Sequence, residues 1–331
     1  MTSVLLLALA PIFFVMLLGY TAGRIGTVDN MNVVGLNTIV MSYALPAALF
    51  VATASTKWSV LTAQWPVLVS LAVVMMGTYL LWYGYERRVR KQDSSEAALQ
   101  ALAVGQPNYA AAAFPVITAL FGTDHLSTIA LGIAVGSLLP SPLTLALLEL
   151  AQGKSDPASE SVSRPKRDDV AATGSAAKIA TAAGHALSKP IVLAPVFGTL
   201  VSLTGWPLPN VAVASLREIG SAAGGMALFV TGLVLSQRGF RLTRNTLLGV
   251  AVANIAQPCL TFAICVGLGA SVEITKLSVV MAALPSGFFG ILFGTSYGRA
   301  SDEANSMIIA STVFSAFTLA VTIGWTCRYG G

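Results

Sequence analysis

Ten apolar stretches of about twenty residues recur along the chain and limit the fold more than any motif does. They cover roughly 3–23, 32–53, 62–85, 97–121, 125–150, 188–204, 210–236, 243–269, 275–297 and 303–326. The hydrocarbon core of a bilayer is about 30 Å thick and takes about 20 apolar residues of helix to cross. The short alternating period of a membrane barrel does not run through these stretches. Only 10% of the 331 residues are charged and 55% are hydrophobic. A soluble domain is about one quarter charged. The expected fold is therefore an all-α membrane protein with ten transmembrane helices. The first stretch has no basic segment before it and runs on to about Tyr20, so it reads as a retained helix and not a cleaved signal.

Two of the stretches are interrupted. Gly105-Gln106-Pro107-Asn108 lies within 97–121, and Phe114-Pro115 follows it. Leu284-Pro285-Ser286-Gly287, with Gly290 and Gly294, lies within 275–297. Proline in mid-helix frees backbone groups that lipid cannot satisfy. Irregular backbone at that depth persists only where protein buries it or where it lines a watery cavity. Two broken helices at corresponding places in two halves of a chain point to a transporter's substrate site.

Lys and Arg give the orientation. Arg24, Arg87, Arg88, Arg90, Lys91, Lys154, Arg164, Lys166, Arg167, Lys178, Lys189, Arg238, Arg241, Arg244 and Arg299 fall on one side, 15 of the 19 basic residues. Lys57, Lys276 and Arg328 fall on the other, and Arg217 lies within a stretch. Cytoplasmic loops carry the basic excess, so both termini are expected outside a plasma (bacterial inner) membrane. The net charge of +5 is thus accounted for by topology and implies no nucleic-acid partner.

The longest polar segment, 153–187, separates five stretches from five. Its first part is rich in Ser, Pro and charge and reads as a flexible cytoplasmic linker. Its Ala-rich second part, Val170 to Leu187, is open to two readings, a surface helix or plain linker. Five is odd, so equivalent halves must insert with opposite orientation, as an inverted repeat. The expected division is 1–152 as the first five-helix repeat, 153–187 as linker and 188–331 as the second repeat. Two short echoes accompany it. Ala10-Pro11-Ile12-Phe13 resembles Ala194-Pro195-Val196-Phe197, and Ala48-Leu49-Phe50-Val51 resembles Ala227-Leu228-Phe229-Val230.

Polar groups inside apolar stretches need a reason. Asn108 offers two donors and an acceptor to a ligand, or else caps the half-helix that starts at the break. A half-helix N-terminus is also a seat for a carboxylate. Gln106, Tyr109, Ser286 and Gly287 are placed to add contacts, beside Pro285. Arg217 and Glu218 are adjacent charges within a stretch, either functional or snorkelling to the outer interface. Asn37, Asn254 and Gln257 are buried amides, either accessory to the site or bonded between helices. Asp124 reads as the N-cap of the fifth stretch. Trp58, Trp65, Trp82, Trp206 and Trp325 read as interfacial anchors. Cys259, Cys265 and Cys327 have no metal spacing, and no nucleophile triad or phosphate loop is present. No catalytic residue, metal site or cofactor is expected.

The order of these motifs resembles the auxin efflux carrier family, in particular its bacterial malonate-type members. The resemblance rests on Ala10-Pro11-Ile12-Phe13, Leu36-Asn37, Leu45-Pro46-Ala47 and Asn108 with Pro115 seven residues on. It continues through Ala119-Leu120-Phe121-Gly122, Ser188-Lys189-Pro190, Trp206-Pro207-Leu208-Pro209 and Ala283-Leu284-Pro285-Ser286-Gly287. It covers nearly the whole chain. The sequence departs from the family after Asn108, where Tyr109 and four alanines stand and glycine is common.

The resemblance implies ten helices in a 5+5 inverted repeat, related in fold to the bile acid/sodium symporters. It implies that helices 4 and 9 cross at Pro115 and Pro285 beside Asn108. It also implies scaffold helices 1, 2, 6 and 7 that form a homodimer, and transport helices 3–5 and 8–10 that move as an elevator. The expected activity is secondary transport of small organic anions such as malonate, with no enzymatic step. A sodium-coupled organic-anion symporter and a non-transporting membrane sensor are the alternatives.

Overall fold

The computed structural model describes residues 2–30, 33–56, 58–122, 125–155, 184, 188–205, 208–237 and 240–329. Helices make up the described residues, with no strand among them. In chain order they are α1 (Thr2–Ile25), α2 (Val34–Ala54), α3 (Trp58–Ala63), α4 (Trp65–Arg88) and α5 (Ser94–Gly105). Next come α6 (Phe114–Phe121), α7 (Leu126–Leu138), α8 (Pro140–Ser155), α9 (Pro190–Thr204) and α10 (Asn210–Gln237). The last are α11 (Arg244–Gly267), α12 (Val272–Ala282), α13 (Phe289–Ser296) and α14 (Asp302–Arg328). Single π turns interrupt α2 at Val40–Ala44 and α11 at Val252–Ala256, and a third, Tyr109–Ala113, leads into α6.

Each apolar stretch of the sequence coincides with a helix or a pair of helical segments, to within a few residues. Six are long and apolar enough to cross a membrane: Val34–Ala54, Trp65–Arg88, Thr128–Ala151, Asn210–Gln237, Arg244–Gly267 and Asp302–Thr326. Ala10–Ile25 and Pro190–Thr204 are shorter apolar helices. The remaining two stretches are the broken ones, each divided between two short segments. Apolar side chains face outward as a membrane protein requires. Leu81, Val211 and Val321 are 75%, 77% and 73% exposed, which water would not tolerate across so many positions.

Local chemistry sets the boundaries. Asp93 caps α5, accepting from the Ser95 and Glu96 amides at 2.7 and 2.9 Å. Thr243, Ser271 and Ser301 cap α11, α12 and α14 in the same way. Each such bond satisfies one of the amides that a helix start leaves open.

Packing divides among a few long seams. α1 lies along α10, and α9 along α2. The α1–α10 seam is close because Gly19 faces the Phe229 carbonyl oxygen and Gly232 faces the Met16 carbonyl oxygen. α4 packs on α5, and the second half of α11 packs on α12 and α4. α5 also touches α8 and α14.

Two sequence expectations need correction, and others fall outside the described residues. Trp82 is no interfacial anchor. It is 7% exposed and packs at 5.4 Å from the Tyr85 ring, because its face of α4 turns inward. Trp65 and Trp325 are 49% and 38% exposed and fit the anchor role. The linker does not begin at 153, since α8 continues helical to Ser155. Most of the 153–187 segment, together with Asp124 and Trp206, lies outside the described residues.

Candidate functional site

The two breaks meet. Pro107 and Ser286 form an antiparallel β-bridge in the middle of an otherwise helical bundle. The Asn108 amide donates to the Pro285 carbonyl at 2.7 Å, and the Gly287 amide donates to the Gln106 carbonyl at 2.8 Å. The local cause is proline. The residue before a proline is pushed out of the helical region, and Gln106 is extended at φ −117°, ψ 110°. Pro107 has no amide to offer the preceding turn. The freed groups of one break are met by the freed groups of the other, so both remain buried without water.

Buried amides and hydroxyls brace the bridge. Gln257 Nε2 on α11 donates to the Val104 carbonyl at 2.6 Å and to Thr78 Oγ1 at 3.2 Å. It thereby satisfies a carbonyl in the last turn of α5. The Ser286 amide donates to Ser311 Oγ at 2.9 Å. Ser311 Oγ donates in turn to Asn254 Oδ1 at 2.6 Å, and Asn254 Nδ2 donates to the Ser311 carbonyl at 2.9 Å. Gln106 Oε1 accepts from Ser141 Oγ at 3.2 Å. Asn37 Nδ2 reaches α13, donating to the Leu292 carbonyl at 2.9 Å and Ser296 Oγ at 2.8 Å.

These contacts sort the residues that the sequence singles out. Gln106, Asn108, Tyr109, Pro285, Ser286 and Gly287 come together at one place. Pro115 does not. It lies within the helical segment 109–121, directly after the π turn Tyr109–Ala113, while the backbone pairing of the two breaks is at Pro107 and Ser286. Tyr109 turns toward α4 and α7, its hydroxyl 3.6 Å from Met75 Sδ. Its ring covers Gly132, where a Cβ would meet ring carbons at 3.1 Å. Asn37, Asn254 and Gln257 hold helices to the broken segments. Arg217 and Glu218 are exposed on α10, away from the bridge. Ser141, Thr78 and Ser311 escape the sequence reading, because a hydroxyl in an apolar helix can bond its own preceding turn and carries no distinctive signal.

The site is closed in this conformation. Gln106, Asn108 and Ser286 are each 3% exposed, and Tyr109 is 2% exposed. A ligand reaches them only after neighbouring helices part. The bridge consumes the amides of Asn108 and Gly287, so hydrogen bonds to an incoming anion must come from side chains or from later amides of the half-helices. Among the described residues no group of His, Cys, Asp or Glu is arranged to hold a metal ion.

Comparison with known proteins agrees with the geometry. The family described as "Membrane transport protein" matches residues 4–323. The chain is 30% identical over 294 residues to the uncharacterized transporter YfdV of Escherichia coli (strain K12), 87% of each protein. The same identity and coverage hold for the YfdV of Shigella flexneri. The probable auxin efflux carrier component 5c of Oryza sativa subsp. japonica is 26% identical over 133 residues, 38% of this chain and 36% of that protein. A family match over nearly the whole length, on a helical bundle with paired breaks, shows that this chain belongs to the membrane transport protein family of auxin efflux carriers.

Proposed function

We propose that this transporter carries small organic anions, carboxylates such as malonate, across the plasma membrane by elevator-type alternating access. The observation that carries the reading is the Pro107–Ser286 bridge. It sets four half-helix ends around one buried point, and the N-terminal ends of the 109–121 and 289–296 segments turn positive dipole toward it. Asn108 orients the carboxylate, with Gln106, Tyr109, Pro285, Ser286 and Gly287 forming the remaining wall.

The same geometry supports a 5+5 inverted repeat of ten helices. Pro107 pairs with Ser286, and Thr78 bonds Gln257. Both pairs are 179 residues apart, and so are Phe50 and Phe229 in the two echoing motifs. Residues that touch their own repeat equivalents lie on a two-fold axis. Phe50 and Phe229 each also turn a carbonyl toward a glycine of a partner helix, Gly198 and Gly19. On this reading α1, α2, α9 and α10 are a scaffold with a homodimer surface, and the remaining helices move. Both termini lie outside the cytoplasm.

Purified protein in liposomes tests the reading with labelled malonate and a panel of short mono- and dicarboxylates. Uptake of at least one carboxylate is expected, and Asn108→Ala reduces it by roughly tenfold or more, the loss of one or two hydrogen bonds to a charged group. An Asn108→Ala variant with unchanged uptake removes Asn108 from the site. Failure of every carboxylate removes the substrate class.

A further inference from the structure

A second polar cluster lies at the basic end of the bundle, where α4, α5, α11 and α14 meet. Asn245 Nδ2 donates to Glu86 Oε1 at 2.8 Å and to Gln100 Oε1 at 3.1 Å. Gln100 Nε2 donates to Glu96 Oε1 at 2.8 Å and to Glu303 Oε2 at 3.3 Å. Ser301 Oγ donates to Glu96, and Thr243 Oγ1 donates to Glu303 Oε1 at 2.9 Å. Arg90 Nη1 is 3.0 Å from Glu303 Oε1, and its Nε is 3.8 Å from Glu86 Oε2.

Three carboxyls therefore lie in one cluster with a single guanidinium, which pairs with two of them, Glu303 and Glu86. Arg90 spends its close contact on Glu303, whose side chain is 16% exposed, and leaves Glu86, at 0%, with the remote one. Glu86 Oε2 accepts no hydrogen bond. Asn245 is 5% exposed, and its Oδ1 accepts none either. The two unmet atoms are both acceptors, on two side chains already joined by one hydrogen bond. A buried acceptor left unmet is destabilising, and an ionised carboxylate beside two others is more so. A proton on Oε2 removes the charge and converts an acceptor into a donor. A multivalent metal ion is a poor fit, since no group of three or more His, Cys, Asp or Glu in the described residues is disposed to hold one.

We propose that Glu86 is a proton-binding site, carrying a proton on Oε2 in the helix arrangement seen here. The charged groups around it are Arg90, two residues past the end of α4, Glu96 on α5 and Glu303 on α14. α11 presents the uncharged Asn245. Gln100 belongs to the same half-helix as the first break, so the state of this proton bears directly on α5. The site thus ties proton occupancy to the packing of the four helices.

Infrared spectroscopy of the purified full chain in nanodiscs, near neutral pH and without substrate, tests the proposal. A protonated carboxyl has its own carbonyl stretch, distinct from that of a carboxylate. Wild type shows the band, and Glu86→Gln loses one carboxyl's share of it. Glutamine keeps the shape and supplies an N–H where the proton stood, so the variant folds, with a thermal midpoint at neutral pH equal to wild type or higher. The sign of the pH response follows by linkage. Near neutral pH the folded chain holds a proton that the unfolded chain releases, so the wild-type midpoint falls as pH rises toward alkaline values. Glu86→Gln flattens that fall. An identical band in both proteins overturns the proposal. So does a variant that cannot fold, or a wild-type band that responds to sodium at fixed pH and not to pH. None of these outcomes depends on which anion is transported, so failure here leaves the transport reading standing.

Discussion

Gln257 shows how a single buried amide supports the crossing. Its Nε2 meets the Val104 carbonyl at 2.6 Å and Thr78 Oγ1 at 3.2 Å. Gln257→Leu preserves most of the volume but leaves that carbonyl buried and unmet. The expected loss is about 1–3 kcal/mol, read as a lower thermal midpoint in detergent or a lower denaturant midpoint. Glu96 makes a second prediction at this scale. It stands one residue before the 97–121 stretch, and burial holds its carboxyl above the ordinary range, with Asp93 and Glu303 adding to the rise and hydrogen bonds from Ser301 and Gln100 opposing it. A carboxyl raised in the folded state contributes most at low pH and loses that contribution as pH climbs through its folded value. Glu96→Gln therefore flattens the fall in stability that sets in as pH rises above the ordinary carboxylate range, measured by midpoint against pH. The sequence marks Asn37, Asn254 and Gln257 as buried amides because amides are rare in apolar helices. It cannot name their partners, which lie 255, 57 and 153 residues away, since only tertiary packing brings those carbonyls near. The cluster around Glu86 is hidden for the same reason. Its members sit near helix ends, where charge is ordinary and raises no question in the sequence.

At the scale of elements, the breaks are legible and their pairing is not. Proline acts on its immediate neighbours, so Gln106-Pro107 and Leu284-Pro285 announce an interruption from local rules alone. Which residues pair depends on the tilt of α5 and α12, which local rules do not set, so nothing near Pro107 announces Ser286 as its partner. The seam between α1 and α10 is equally silent, since glycine is common in membrane helices. Yet Gly19 and Gly232 allow two backbones to touch, each facing a carbonyl oxygen of the other helix. With little hydrophobic drive between helices in lipid, such close approach is what holds them together. Gly232→Leu should force the seam open and abolish the folded, monodisperse protein on size-exclusion chromatography. Gly225→Ala on the same helix has open space around it and should behave as wild type.

For the whole molecule, the elevator reading divides the helices into a set that stays and a set that moves, and cysteine pairs can test that division. Asn37 on α2 meets Ser296 at the end of α13, with Nδ2 2.8 Å from Oγ. This contact joins the proposed scaffold to the proposed moving unit. Asn30, in the turn after α1, meets Ser236 on α10, with Nδ2 2.6 Å from Oγ. Both of those belong to the scaffold. In a background where Cys259, Cys265 and Cys327 are replaced, Asn37→Cys with Ser296→Cys gives one tie, and Asn30→Cys with Ser236→Cys gives the other. The side chains of each pair touch, and mercury or a short bifunctional thiol reagent ties the cysteines that replace them. Bridging the first pair should stop transport in liposomes, and excess thiol should restore it. Bridging the second should leave the rate within about twofold of the reduced protein, because a tie inside a rigid body restrains nothing that moves. Transport that survives the 37–296 bridge would mean that α2 and α13 travel together. The division into scaffold and moving unit would then be wrong, while the paired breaks would still mark the site.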